Sequence, residues 1–174
     1  MAMGETGHLV VTGLMGAGKT TVGRRLAARL GWAWRDSDAD IEAATGATVR
    51  QLRDREGTDA MHAREATQLL EALAAEGPNV VSAAASVVED AAARLAMTAS
   101  GVTVVWLHAS PAVLAERFDS VDAHRPDYGD DPATFLAEQA ARREPLLAGL
   151  RAHVLDVDDL TPDEVVGRVV RLLG

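Results

Sequence analysis

The run Gly13-Leu14-Met15-Gly16-Ala17-Gly18-Lys19-Thr20 matches the pattern G-x-x-x-x-G-K-[ST], a composition suited to holding a polyphosphate. Glycines let the backbone wrap inward so that successive N–H groups face a phosphate, and the helix that follows adds the positive end of its dipole. Lys19 can reach the β- and γ-phosphates, and Thr20 can offer its hydroxyl to magnesium. Gly13, Gly16, Ala17, Gly18, Lys19, Thr20 and Thr21 are therefore the candidate nucleotide-binding residues, with ATP and Mg2+ as the implied ligands. Lys19 is the single lysine among 17 basic residues. The arginine bias reads as the codon usage of a GC-rich genome, and the surviving lysine marks a position that needs a compact point charge. A second candidate pair is Asp36 and Asp38, at the end of the next apolar run. Two carboxylates at i and i+2 in extended chain point the same way. One can join a magnesium shell while the other takes a hydrogen bond or proton from a hydroxyl. The plainer alternative for Asp38 is a cap on the helix of Ile41.

These residues need a frame that brings them together, and the pattern of apolar runs alternating with helical periodicity supplies one. Strands are predicted at His8–Thr12, at Trp32–Trp34 running into Asp36, at Asn79–Ser82, at Val102–His108 and at His153–Val157. Helices are predicted at Lys19–Leu30, Ala39–Thr45, Val49–Glu56, Asp59–Ala75, Glu89–Thr98, Pro111 to near Phe118, Ala133 to about Glu144, and Pro162–Leu173. Ser110 and Pro111 form a preferred helix start. The result is an α/β fold, a doubly wound five-stranded parallel sheet forming a single domain over residues 1–174. Residues 119–132 are polar and marked by Pro and Gly, and are predicted to form a mobile loop.

Composition narrows the function classes. The chain of 174 residues carries 17 Lys and Arg against 26 Asp and Glu, a net charge of −9. That balance argues against nucleic acid or an anionic membrane as partner. Cysteine is missing, which removes disulfides, thiolate nucleophiles and thiolate zinc sites. No apolar run has the length of a membrane span, and the first residues are unlike a signal peptide. The expectation is a cytoplasmic monomer acting on a small hydroxylated metabolite.

Taken together these residues resemble the shikimate kinase family, a branch of the nucleoside-monophosphate-kinase-like P-loop kinases. The resemblance runs through Gly13–Gly23, through Asp36-Ser37-Asp38 with Ile41-Glu42 and Thr45-Gly46, through Arg125-Pro126, and through Arg143-Glu144-Pro145-Leu146, where Leu147 replaces the family's Tyr. It implies transfer of the γ-phosphoryl of ATP to the 3-hydroxyl of shikimate, a sheet order of 2-3-1-4-5 and a mobile lid over 119–132. It further implies a substrate-binding helical segment over 39–75. Asp36 would join the magnesium shell and Asp38 the substrate hydroxyls. Lys19, Asp38 and Arg125 would be catalytic, Arg143 would lie near the substrate, and Arg117 and Pro162 would flank the adenine.

Two departures fall on the acceptor side. The family's F-R-x-x-E stands here as Met61-His62-Ala63-Arg64-Glu65, so the arginine that clamps a substrate carboxylate is His62. A neutral imidazole is a poor substitute for a bidentate guanidinium. Arg64, two residues on, points about 200° away on a helix. His62 shares its helical face with Ala66, Leu69 and Leu73, so a core-edge histidine is an equal reading. The second departure is Ala83-Ala84-Ala85 in place of Gly-Gly-Gly, three β-carbons that narrow the pocket and restrict its turn. The acceptor pocket is expected to hold a carboxylate best when His62 is protonated, so that KM for shikimate rises with pH. Alternatives are a kinase for gluconate, another sugar acid or a cyclitol, and a non-catalytic nucleotide-binding regulator. If residues 119–132 bring a guanidinium to the transferring phosphoryl group, Arg125→Ala lowers kcat by a few powers of ten and changes ATP binding much less. An unchanged kcat in that variant removes the role.

Overall fold

The computed structural model of the chain describes residues 7–118 and 131–174. Five parallel strands, β1 (His8–Thr12), β2 (Ala33–Asp36), β3 (Asn79–Ser82), β4 (Val102–His108) and β5 (His153–Asp156), form one sheet in the order β2-β3-β1-β4-β5. The helices are α1 (Lys19–Leu30), α2 (Ser37–Thr45), α3 (Val49–Glu56), α4 (Thr58–Ala74), α5 (Ala91–Met97), α6 (Pro111–Phe118), α7 (Pro132–Ala148) and α8 (Pro162–Leu173), with a 3-10 turn at Ala85–Glu89. The doubly wound architecture and the strand order are those expected.

The central strands β1 and β3 are buried along their length and β4 over Val104–Leu107, as parallel strands covered by helices must be, while the edge strands β2 and β5 are partly exposed. Alternating side chains of β1 feed two cores. Leu9 and Val11 pack with Val22 and Leu26 of α1 and Val165 and Val169 of α8. Val10 packs with Leu69 and Ala72 of α4, with Met97 and with Leu147 of α7. A third, smaller cluster of Ile41, Val49, Leu52 and Met61 ties α2, α3 and α4 together.

Several boundaries differ from those expected, each for a local reason. Helix α2 begins at Ser37 rather than Ala39 because Asp36 ends β2 and caps the helix, accepting from Ala39 N at 3.3 Å. The i, i+2 alternation of extended chain therefore does not apply to Asp36 and Asp38. Residues 85–89 form a 3-10 turn, and α5 starts only where Asp90 caps it, accepting from Ala93 N at 2.8 Å. Helix α7 runs on through Pro145 to Ala148. Buried Arg143 and Leu147 on either side of the proline hold that turn in register. The 119–132 loop, Arg125 included, lies outside the described residues except at its last two positions, where Asp131 caps α7 and Pro132 begins it.

Register sets where a ligand can bind. Val11 and Asp36 both pair with Ser82, so the carboxyl ends of β1, β2 and β3 are level. Strand order reverses at β1, between β3 and β4, and such switch points open a crevice at the carboxyl edge.

Helix α1 lies close against β3 at Gly23. A Cβ there would collide with Ser82 Oγ and come within 3.3 Å of Trp34 Nε1. Ser82 cannot yield freely, because its hydroxyl accepts from Trp34 Nε1 and donates to Lys19 O, both at 3.1 Å. Gly23→Ala gains helix propensity of about 1 kcal/mol but must overcome this overpacking, so it destabilises by a net of about 1–2 kcal/mol in denaturant unfolding. In a Ser82→Ala background the same substitution costs less, which a double-mutant cycle measures.

Candidate active site

The loop between β1 and α1 turns at Gly13, Gly16 and Gly18, whose φ angles are 143°, 85° and 92°. Ala17 N donates to Leu14 O at 3.2 Å and closes the loop. Lys19 folds back over it, its Nζ donating to Leu14 O at 3.0 Å. Thr20, the next residue of α1, donates its hydroxyl to Asp36 Oδ2 at 2.9 Å. Asp36 is 7% exposed. Its carboxylate thus bridges the start of α1 and the start of α2, which fixes the mouth of β2 relative to the loop.

A hydroxyl and an ionised carboxylate in contact form a hard-oxygen pair. Magnesium is commonly held by one or two such protein ligands together with phosphate oxygens and water. Thr20 and Asp36 fit that donor set.

A cavity of about 240 Å3 opens from this loop. Its walls include Gly16, Gly18, Lys19, Thr20, Thr21, Asp36 and Asp38, and also His62, Ala83, Ala84, Ala85 and Arg143. These nucleotide and acceptor residues therefore share one space, while the predicted Gly13 and Ala17 are not on its wall. Asp38 lies in the first turn of α2, on the cavity wall and exposed. It does not cap the helix, since Asp36 does.

Helix α4 presents a stripe to the cavity. Thr58, Met61, His62 and Glu65 all line it, the i, i+3, i+4, i+7 spacing of one helical face. His62 is half-buried, and burial, followed by the charge of Arg143, holds its pKa below the ordinary histidine value. Arg64 points elsewhere, with Nε and Nη2 donating to Glu56 at 3.1 and 2.7 Å. Arg143 is 6% exposed, and its Nε donates to Glu89 Oε1 at 2.5 Å. Arg142 Nε lies 3.2 Å from the other oxygen of the same carboxylate.

The Ala83–Ala85 turn is built without strain. Ala84 has φ −60° and ψ 150°, and among the described residues positive φ occurs only at glycine. The three β-carbons thus occupy ordinary backbone, and their effect is on cavity shape alone.

Arg117 and Pro162 are not on the cavity wall. Arg117 Nη2 donates to Val157 O at 3.1 Å, joining α6 to the β5–α8 connection. Pro162 begins α8 behind the capping box of Thr161 and Glu164. Arg117 Cβ nonetheless lies 3.8 Å from the point where a Cβ on Gly16 would sit, so α6 borders the loop.

Sequence reasoning passed over Arg53, Glu65, Ser86, Phe135, Gln139 and Arg142, all on the cavity wall. The spacing from Met61 and His62 pointed to Glu65. Arg53 is one turn beyond Val49, but only the tertiary angle of α3 shows that this face meets the cavity. Glu65 accepts a hydrogen bond from Ser86 Oγ. Burial raises its pKa to about 7, the bond from Ser86 opposes the shift, and the charge of Asp38 adds to it.

A carboxyl that binds its proton more tightly when folded stabilises the fold fully at low pH, and that contribution is lost as pH rises through about 7. Glu65→Gln removes the titration while keeping the shape. Its stability relative to the parent protein should increase from pH 5 to pH 8, read from urea midpoints, and a pH-independent difference would contradict the buried-acid reading.

Comparisons with known proteins bear on the family and the fold. The family model described as shikimate kinase matches residues 15–174. Shikimate kinase 2 of Sodalis glossinidius is 37% identical over 171 residues, covering 97% of this chain and 96% of that one. The structure of shikimate kinase from Acinetobacter baumannii in complex with shikimate superposes with a TM-score of 0.88 at 27% identity, covering 96% of this chain and 92% of that one. A gluconokinase from Sinorhizobium meliloti gives a TM-score of 0.69 at 26% identity, covering 99% of this chain and 93% of that one.

Proposed function

The chain belongs to the shikimate kinase family, and from that premise we propose that it transfers the γ-phosphoryl group of ATP to the 3-hydroxyl of shikimate. One observation carries the reading: Lys19 and Thr20 line the same cavity as Asp38, His62 and Arg143. A phosphoryl donor and a small acceptor held in that space are within reach of each other.

Each side chain then has a task. Lys19 and the N–H groups of the Gly13–Thr21 turn hold the β- and γ-phosphates in line with the acceptor. Thr20 and Asp36 hold magnesium, which when bound neutralises charge on the phosphate oxygens. Asp38 orients the acceptor hydroxyl and takes its proton as that oxygen bonds to the γ-phosphorus and the bridge to the β-phosphate breaks. Arg143, fixed by Glu89, faces the acceptor carboxylate. The Ala83–Ala85 turn and Met61 bound the acceptor ring. The adenine roles of Arg117 and Pro162 and the lid role of Arg125 complete the donor half. The 39–75 segment carries the acceptor wall within the single domain.

A sugar acid is the competing acceptor, favoured by the replacement of the clamp arginine by His62 and of three glycines by Ala83–Ala85. Incubation with Mg-ATP and either shikimate or gluconate, following ADP release and product mass, separates the two. The expected result is phosphorylated shikimate, with kcat/KM for gluconate far lower. Lys19→Ala should reduce shikimate turnover roughly a hundredfold or more, as removal of one transition-state donor does elsewhere. ATP hydrolysis with no acceptor dependence would overturn the reading.

A further inference from the structure

Arg142 and Arg143 are consecutive residues of α7, about 100° apart around the helix, yet both guanidinium groups meet one carboxylate. Arg143 Nε donates to Glu89 Oε1 at 2.5 Å, and Arg142 Nε lies 3.2 Å from Glu89 Oε2. Arg142 is itself held, its Nη2 donating to Gln139 Oε1 at 3.0 Å. Glu89 is the last residue of the 3-10 turn that begins at Ala85, so its carboxylate joins the acceptor turn to α7. The phosphate-loop, Asp36–Asp38 and Arg143–Leu146 patterns give Glu89 no role. Burial favours its neutral acid, but the bond from Arg143 and the charges of Arg143 and Arg142 hold its pKa below the ordinary glutamate value. Glu89 is therefore an anion near pH 7.

The Glu89 bond decides which edge of Arg143 is left for a ligand. A guanidinium carries five N–H donors, one on Nε and four on the two terminal nitrogens. Glu89 takes the one on Nε. The terminal nitrogens make no hydrogen bond among the described residues, in a side chain that is buried yet lines the cavity. Buried donors without acceptors are costly, and a carboxylate can accept two of them side by side. The two arginines and Glu89 together leave one net positive charge, which a single acceptor carboxylate cancels. His62 adds little to it, since burial, followed by the charge of Arg143, lowers its pKa and leaves its ring mostly neutral near pH 7.

We propose that Glu89 is a positioning residue for acceptor recognition: it holds the Nε edge of Arg143, with its second oxygen beside Arg142, and so aims the terminal edge of the Arg143 guanidinium at the acceptor carboxylate. The proposal rests on the shikimate reading above, since it requires an acceptor that carries a carboxylate. A Glu89 that acted through its charge alone would repel an anionic acceptor, and its removal would tighten binding. Positioning and charge thus predict opposite signs.

The test is steady-state kinetics of the full chain and its Glu89→Gln variant with shikimate and with shikimate amide, which is neutral at the same position. KM for shikimate should rise about tenfold, the scale of one hydrogen bond to a charged group. The KM for ATP and for the amide should be little changed, and kcat should fall much less than KM rises. In an Arg143→Gln background the Glu89 substitution should raise KM no further, because its effect runs through Arg143. Glu89→Asp keeps the charge but withdraws the carboxylate by one methylene. It should also raise KM for shikimate, and it serves alone if Glu89→Gln does not fold; ATP binding by calorimetry establishes folding. An unchanged or lowered KM for shikimate in the variant, an equal loss with the amide, or an additive loss in the Arg143→Gln background overturns the role of Glu89. If the unmodified protein fails to phosphorylate shikimate at all, the parent reading falls and this one with it. Turnover by the unmodified protein with an indifferent Glu89→Gln removes this proposal alone.

Discussion

The phosphate-binding loop can act only if α1 sits close to the sheet and points its first residues at the right strand ends. That closeness is set where Gly23 meets Ser82. The absence of a side chain at position 23 lets the Ser82 hydroxyl reach the carbonyl of Lys19 while also accepting from Trp34. The start of α1 is thereby tied to β3, and the Thr20–Asp36 bond ties it to β2. Both strands lie on the same side of β1. The loop is thus fixed relative to Asp36 and Asp38 by contacts that exist before any ligand arrives, which is the preorganisation that phosphoryl transfer requires. Ala83–Ala85 follow Ser82 directly, so the same anchor places the acceptor wall opposite the donor loop.

A chain with a net charge of −9 gathers Lys19, Arg53, Arg142 and Arg143 around one cavity. The opposing carboxylates are Asp36, Asp38 and Glu65 on the wall and Glu89 beside it. These groups divide by environment. Glu89 is a fixed anion between two arginines, and they hold its pKa below the ordinary carboxyl range against the opposing effect of burial. Glu65 is enclosed and close to Asp38, and burial brings its proton affinity up to about 7. A protonated Glu65 removes one negative charge from the neighbourhood of an incoming anionic substrate and leaves the ionised role to a neighbour, the pattern by which adjacent carboxyls take different tasks.

Much of this was legible in the sequence because it depends on local pattern. The Gly13–Thr20 run, the β-branched Val102–His108 strand and the placement of Asp36 at a strand end follow from spacing and residue type. The errors came where one residue satisfied two demands. Asp36 is both strand terminus and helix cap, which moved the start of α2. Pro145 reads as a helix stop, yet packing of Arg143 and Leu147 carries α7 past it. The place of Arg53 on the cavity wall was invisible because it depends on the angle between α3 and α4, which Gly57 sets. The replacement of three glycines by alanines was legible as a change in shape, while the ordinary backbone of that turn could be seen only in three dimensions.

In the proposed reaction donor and acceptor occupy one cavity, with the acceptor carboxylate toward Arg143 and its hydroxyl toward Asp38. The most direct measurement is a crystal structure of the protein with ADP, magnesium and shikimate. The predicted result is shikimate against the Ala83–Ala85 turn, its carboxylate within hydrogen-bond distance of the Arg143 guanidinium and its 3-hydroxyl on Asp38, facing the β-phosphate held by Lys19. Shikimate bound elsewhere, or in this cavity with its carboxylate turned to Lys19, would contradict it.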